Sequence, residues 1–222
     1  MTTVYLSDKK CFICNEESKY PMGNLSLGNV SARDLDGRPT NILRSSVYLW
    51  IQRCPGCGYC APEIAEGDDI DKEIVASDAY TAQLENIAFP ETANSFLCHS
   101  LVMENKKYFA DAGWASVFAA WICDDNNFSE SASYCREKAL NLFEAARENE
   151  QDFADTTDRE SLYFIDLHRR RADFDQASKL CDTELEKEHD DHIFDLLYFE
   201  RELIDKKDST IHTVAEAEDA DY

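Results

Sequence analysis

Cys11-Phe12-Ile13-Cys14 and Cys54-Pro55-Gly56-Cys57-Gly58-Tyr59, with 39 residues between them, decide the reading of this chain. A Cys-x-x-Cys turn lets two thiolates approach one ion at about 2.3 Å each, and two such turns brought together complete a tetrahedron. The spacing predicts a zinc ribbon with Cys11, Cys14, Cys54 and Cys57 as ligands. Pro55 stiffens the second turn, and Gly58 accepts the positive φ that lets backbone amides point at sulfur. Four cysteines without histidine leave no coordination position for water, so the expected ion is a single structural Zn2+. Iron is the alternative: the second turn resembles that of rubredoxin, but Asn15 stands where the first would need a matching glycine.

Five further cysteines lie outward from these pairs, making an odd total of nine. With no basic, apolar leader in Met1–Cys14, metal binding fits the pairs better than disulfides do. Cys60 follows the second pair and reads as a small buried residue at the ribbon–helix junction, or else as a redox-sensitive thiol that could displace a ligand. Cys98, Cys123, Cys135 and Cys181 sit in apolar helical patterns, where a free cysteine acts as a small hydrophobe. The longest apolar stretch, Val117–Cys123, is far below the roughly 20 residues needed to span a bilayer. The expectation is a cytoplasmic protein without a membrane partner.

Charge divides the chain near Pro62. Residues 1–62 carry seven basic and five acidic side chains, while residues 63–222 carry fifteen and forty, giving −23 in all. So acidic a second part repels phosphate backbones, which argues against nucleic acid as its partner. The punctuation changes at the same place. Up to Ala61 the chain is turn-rich, with Pro21, Gly23, Gly28 and the run Asp34-Leu35-Asp36-Gly37-Arg38-Pro39, and Val47–Gln52 has strand character. A module this small has little core of its own and depends on its metal.

Beyond Pro62 only Gly67, Gly113 and Pro90 interrupt a helical pattern. Helices are predicted over Ile70–Ala88, Ala93–Asn105, Tyr108–Cys123, Glu130–Arg147, Asp158–Arg171, Asp175–Glu188 and Ile193–Lys206. Ala132, Cys135, Ala139, Leu142, Phe143 and Ala146 form one apolar stripe; Ile193, Leu196, Leu197, Leu203 and Ile204 form another. Thr157 with Glu160 reads as a capping box, and Trp50 as core between ribbon and helices. Short connections imply antiparallel neighbours, with helical hairpins over Trp114–Ala146 and Leu162–Leu185. The second is similar to a tetratricopeptide repeat, Ala172–Ala177 occupying its turn, although Phe128 and Phe174 lie 46 residues apart rather than the roughly 34 of a regular array.

The expected fold class is therefore α+β and mostly α: a four-cysteine ribbon at 1–62, a tetratricopeptide-like helical domain at 63–212 and a frayed acidic tail at 213–222. Taken together, Cys11-x-x-Cys14, Asp34–Pro39, Cys54–Tyr59, Ala119-Ala120-Trp121-Ile122-Cys123-Asp124-Asp125 and Leu167-His168-Arg169-Arg170-Arg171-Ala172-Asp173-Phe174-Asp175 resemble an uncharacterised bacterial family. Its members pair an N-terminal zinc ribbon with tetratricopeptide-like helices. The resemblance implies architecture and zinc, not a reaction.

Three weaker constellations remain. His189 and His192, one turn apart in Glu188-His189-Asp190-Asp191-His192, could hold a second metal, but a solvated helix start explains them. The basic run His168–Arg171 reads as ion pairs with acids such as Asp166 and Asp173, and Arg38 with Asp34 and Asp36 as the lock of a ribbon loop. No phosphate loop, nucleophile elbow or His-Glu-x-x-His is present. The functional expectation is a non-catalytic adaptor whose helical groove binds a protein or peptide. Its rivals are a nucleic-acid-associated regulator, acting through the ribbon or as an acidic mimic, and a thiol/zinc redox sensor.

Overall fold

The structure, a computed structural model, describes residues 3–24 and 33–220. Gly28, read above as a turn residue, lies outside them. In chain order β1 (Thr3–Lys10) and β2 (Glu17–Asn24) form an antiparallel pair, with Thr3 opposite Asn24 and Lys10 opposite Glu17. A short helix α1 (Asn41–Arg44) and a 3-10 turn at Val47–Trp50 lead to β3 (Gln52–Arg53), which pairs antiparallel with β4 (Cys60–Ala61). Helices α2 (Asp69–Val75), α3 (Asp78–Leu84), α4 (Glu91–Asn105), α5 (Phe109–Asp125), α6 (Ser129–Glu148), α7 (Thr157–Arg170), α8 (Phe174–Leu185), α9 (Asp191–Asp205) and α10 (Val214–Glu218) follow. The class is α+β, mostly α. Two compact units divide it: Met1–Leu27 with Ile42–Gln151, and Gly28–Asn41 with Asp152–Tyr222.

In the first unit, Val47–Trp50 coils where a strand was expected. Val47 is buried, and the indole of Trp50 packs edge-on against Phe118 and Trp121 at 5.2 and 6.4 Å, as befits a core residue between ribbon and helices. Only Gln52 and Arg53 then remain extended enough to pair. The single helix expected over Ile70–Ala88 is broken into α2 and α3 by Ser77. Its hydroxyl donates to the Ile74 carbonyl at 2.6 Å and accepts the Tyr80 amide at 3.2 Å, ending one helix and capping the next.

Helices α4, α5 and α6 run close to their expected bounds. Apolar on all sides, α5 packs on both neighbours, and small residues such as Ala112, Gly113, Ser116 and Ala119 let them approach. A Cβ on Gly113 would come within 2.4 Å of the Phe143 ring. The buried hydroxyls of Ser100 and Ser116 satisfy each other at 3.0 Å, and that of Ser100 also donates to the Ala112 carbonyl. On α6 the predicted stripe, Ala132 to Ala146, is buried throughout.

The second unit packs α7, α8 and α9 around Leu162, Ile165, Ala177, Cys181, Leu196 and Leu197. Three expectations change here. The cap of α7 is Thr156, whose hydroxyl accepts the Arg159 amide at 3.2 Å, while Glu160 takes the Phe153 amide instead of closing a box. The Asp34–Pro39 loop, expected within the ribbon, belongs to this unit: the Leu35 amide donates to the His212 carbonyl, Leu35 joins this core, and Asp36 faces Arg170 at 3.5 Å. The segment read as frayed folds into α10, because Thr213 and Glu216 form a capping box and Ala217 is fully buried against the core.

Arg169 and Arg170 of the basic run pair with acids. Arg169, fully buried, bridges Asp166 and Glu200 and donates to the carbonyls of Asp208 and Thr210; His168 meets Asp173 at 3.0 Å. Five helices share one ending. In α4, α5, α6, α7 and α9 the residue after the cap is left-handed: Lys107, Asn127, Glu150, Ala172 and Lys207, at φ 53–62°. In each the next amide reaches back five residues, as Asp173 does to the His168 carbonyl at 3.0 Å.

Candidate metal centre

Each cysteine pair sits at the tip of a hairpin, one between β1 and β2 and one between β3 and β4. The two tips repeat one another bond for bond. The Cys11 amide donates to the Glu16 carbonyl at 2.9 Å and the Asn15 amide to that of Cys11 at 3.0 Å; the Cys54 amide donates to Tyr59 at 2.8 Å and that of Gly58 to Cys54 at 2.9 Å. Asn15 takes φ +64° and Gly58 φ +76°, so both chains turn in the left-handed region one residue past the second cysteine. Asparagine tolerates that region nearly as glycine does, which removes the expected difference between the tips.

These turns bring the four thiols together. Cys11 Sγ lies 3.7 Å from Cys57 Sγ, and Cys14 Sγ 3.5 Å from Cys54 Sγ, and all four sulfurs are within 4.8 Å of one another. Ligands at Zn–S lengths around a tetrahedron stand about 3.8 Å apart, so the cluster fits a metal ion with little adjustment. The backbone prepares it. Burial pushes the Cys54 thiol up, yet amide hydrogen bonds from Cys57 and Gly56 and the neighbouring thiols more than offset this and leave it below its ordinary value. Burial raises Cys57 and Cys11, each opposed by amide bonds of its own. Cys14 alone is exposed. The four residues could bind a metal ion, as the sequence spacing anticipates.

What the spacing could not reveal is how the tips are held. Phe12, Tyr20, Tyr59, Ala61 and Ile64 form a small apolar cluster around Cys11 and Cys54. Gln52 accepts the Ile64 amide at 3.1 Å, and the Phe12 amide donates to the Ile64 carbonyl at 3.0 Å, joining the two hairpins. From α3 the Tyr80 hydroxyl accepts the Cys60 amide at 2.9 Å and donates to the Gly58 carbonyl at 3.1 Å, clamping the exit of the second tip. Tyr59 donates to Glu66 and Asp71, and Lys106 of α4 meets Asp71 at 3.1 Å and Asp68 at 2.8 Å. None of these long-range contacts follows a local pattern.

Cys60 is fully buried, its thiol donating to the Gly58 carbonyl at 3.2 Å. It occupies the small buried position at the junction. Cys98, Cys123, Cys135 and Cys181 are equally buried. Among the described residues no helix is long and apolar enough to cross a membrane.

No curated protein and no solved structure matches the chain. Residues 4–206 match a family model, a span covering both cysteine pairs and helices α2 to α9; the chain belongs to the family described as uncharacterized proteins conserved in bacteria, DUF2225.

Proposed function

We propose that this protein is a non-catalytic adaptor, with one Zn2+ at Cys11, Cys14, Cys54 and Cys57 holding the two hairpin tips together and a tetratricopeptide-like set of helices receiving a protein partner. The observation that carries the zinc reading is the closed four-sulfur cluster, which leaves no site for a substrate or for water. Zinc is preferred to iron because it has no redox chemistry to be exposed through the open sulfur of Cys14.

Support for the adaptor comes from α4, α5 and α6. A groove of about 400 Å³ is lined by Phe109, Tyr134, Leu142, Glu104, Glu137 and Lys138. Tyr134 is half exposed and rests edge-on against Phe89 at 5.6 Å, an aromatic anchor of the kind that dominates interfaces. With a formal charge of −23 on the chain, the partner that fits is a basic protein segment.

The test is native mass spectrometry of protein isolated from its own host, with Tyr134→Ala beside it. One zinc and a co-purifying protein that Tyr134→Ala loses, and that dissociates as salt rises, support the reading. Iron in the cluster removes its metal half, and a partner indifferent to Tyr134 removes the groove.

A further inference from the structure

A second donor cluster lies in the unit built on α7, α8 and α9. Asp158 comes from the first turn of α7, Glu184 from the last turn of α8 and His189 from the loop before α9. One potential ligand atom from each lies within 4.8 Å of the other two. The pairing that spacing offered, His189 with His192, does not form, since His192 faces Glu218 at 3.5 Å.

His189 carries the argument. Its side chain is only 1% exposed and packs edge-on against Phe194, 5.4 Å between rings. Nε2 lies 2.8 Å from the main-chain carbonyl oxygen of Glu184, which can only accept, so Nε2 bears the hydrogen. In that tautomer Nδ1 presents its lone pair. That atom is buried without a hydrogen-bond partner and stands 3.4 Å from Asp158 Oδ1, a second acceptor. A buried Nδ1 facing a carboxylate needs positive charge between the two, from a proton or a metal ion, and a bound metal ion can supply it.

The carboxylates are arranged for it. Glu184 Oε1 accepts from Lys187 Nζ at 2.8 Å, and its Oε2 lies on the histidine side, 3.8 Å from Nε2. With two carboxylates against one lysine, the cluster retains a negative charge. A histidine that donates its other N–H to a backbone carbonyl is the usual outer-shell arrangement of a metal ligand, because the bond fixes both tautomer and ring orientation. Asp158 is partly exposed and opens the site to solvent.

We propose that His189 Nδ1, Asp158 and Glu184 form a second metal site, for a divalent cation of the borderline class represented by Zn2+ and Co2+, with water completing its shell. The mixed nitrogen and oxygen donors suit those ions and leave positions open, unlike the closed sulfur cluster. The site is independent of the four-cysteine reading.

Co2+ is the probe that separates the two. Full-length protein carrying one equivalent of Zn2+ is titrated with Co2+, followed by visible absorption and metal analysis. The expected result is one further equivalent, with weak visible bands and without the intense near-ultraviolet band of cobalt bound to thiolate. Asp158→Asn, at a partly exposed position, and His189→Ala should each weaken that binding by about tenfold or more while the circular dichroism is unchanged. If His189→Ala fails to fold, Asp158→Asn and Glu184→Gln still decide. No Co2+ bound at millimolar concentration, cobalt bound only with a thiolate band, or folded variants that bind as tightly as the wild type would each overturn the site.

Discussion

Asn15 and Gly58 occupy equivalent backbone positions, φ +64° and +76°, one residue beyond the second cysteine of their hairpin tips. Their tolerance to substitution should nevertheless differ. A Cβ on Gly58 would fall 2.3 Å from Leu84 Cδ2, in addition to the left-handed penalty. Gly58→Ala is expected to cost about 2–3 kcal/mol, and Asn15→Gly to change stability by less than about 1 kcal/mol. Urea unfolding of the metal-loaded proteins measures both. Equal effects would show that Leu84 imposes no penalty at Gly58.

Removing the metal should loosen the hairpins while the helices persist. Cys54 and its partners have only a small apolar cluster around them, whereas α4, α5 and α6 bury their own faces. With zinc contributing on the order of ten kcal/mol in small sites, chelation or Cys54→Ser should expose the amides of residues 3–24 and 52–61 to hydrogen exchange. The helical far-ultraviolet signal should survive. Since only thiolates bind, retention is complete at high pH and lost as pH falls and protons displace the ion. Metal content measured across an acid titration checks the sign. Hairpin amides that stay protected without metal would remove the structural role.

The four-cysteine cluster and most helices are legible in the sequence because each rests on local spacing. Four sulfurs in two short turns, or Cys135, Ala139 and Leu142 along one face, require no knowledge of distant chain. What escaped depends on packing between remote segments. Trp50 reaches Phe118 and Trp121, so Val47–Trp50 coils despite residues that favour strands. Leu35 enters the core of the second unit through a backbone bond to His212, which no property of Asp34–Pro39 announces. Ser77 could have been read as a cap, but a serine within an otherwise helical pattern is ambiguous until Tyr80 is seen to need its hydroxyl. The Asp158–Glu184–His189 cluster joins three elements 31 positions apart in sequence, and no motif search spans that.

Ala172 ends α7 at φ +60°, a conformation in which its Cβ gains nothing. Its amide donates to the Arg169 carbonyl at 2.8 Å, and the following Asp173 amide to that of His168, bonds that glycine would keep. The strain relieved outweighs the added chain entropy of glycine, so Ala172→Gly should stabilise by about 0.5–1 kcal/mol. A rise in Tm of the metal-loaded protein is the expected readout. Lys107→Gly and Lys207→Gly test the same ending on α4 and α9; destabilisation in all three would refute the account of these caps.

Glu200 and Asp166 share one guanidinium. Arg169 Nε lies 2.8 Å from Glu200 Oε2 and the same side chain binds Asp166, all three groups almost wholly excluded from solvent. Burial first, and then the charge of Asp166 and a hydrogen bond to it, raise Glu200 well above the ordinary carboxylate range, so a proton balances the cluster. A carboxyl raised on folding contributes stability that is full below its unfolded value of about 4.3 and is lost as pH rises through the folded value. The difference in unfolding free energy between wild type and Glu200→Gln should therefore move in favour of the glutamine as pH rises. At neutral pH Glu200→Gln should be tolerated, while Arg169→Ala, which strands two acids, should cost about 3–5 kcal/mol. A difference that does not change with pH would show that the Glu200 carboxyl is not raised on folding.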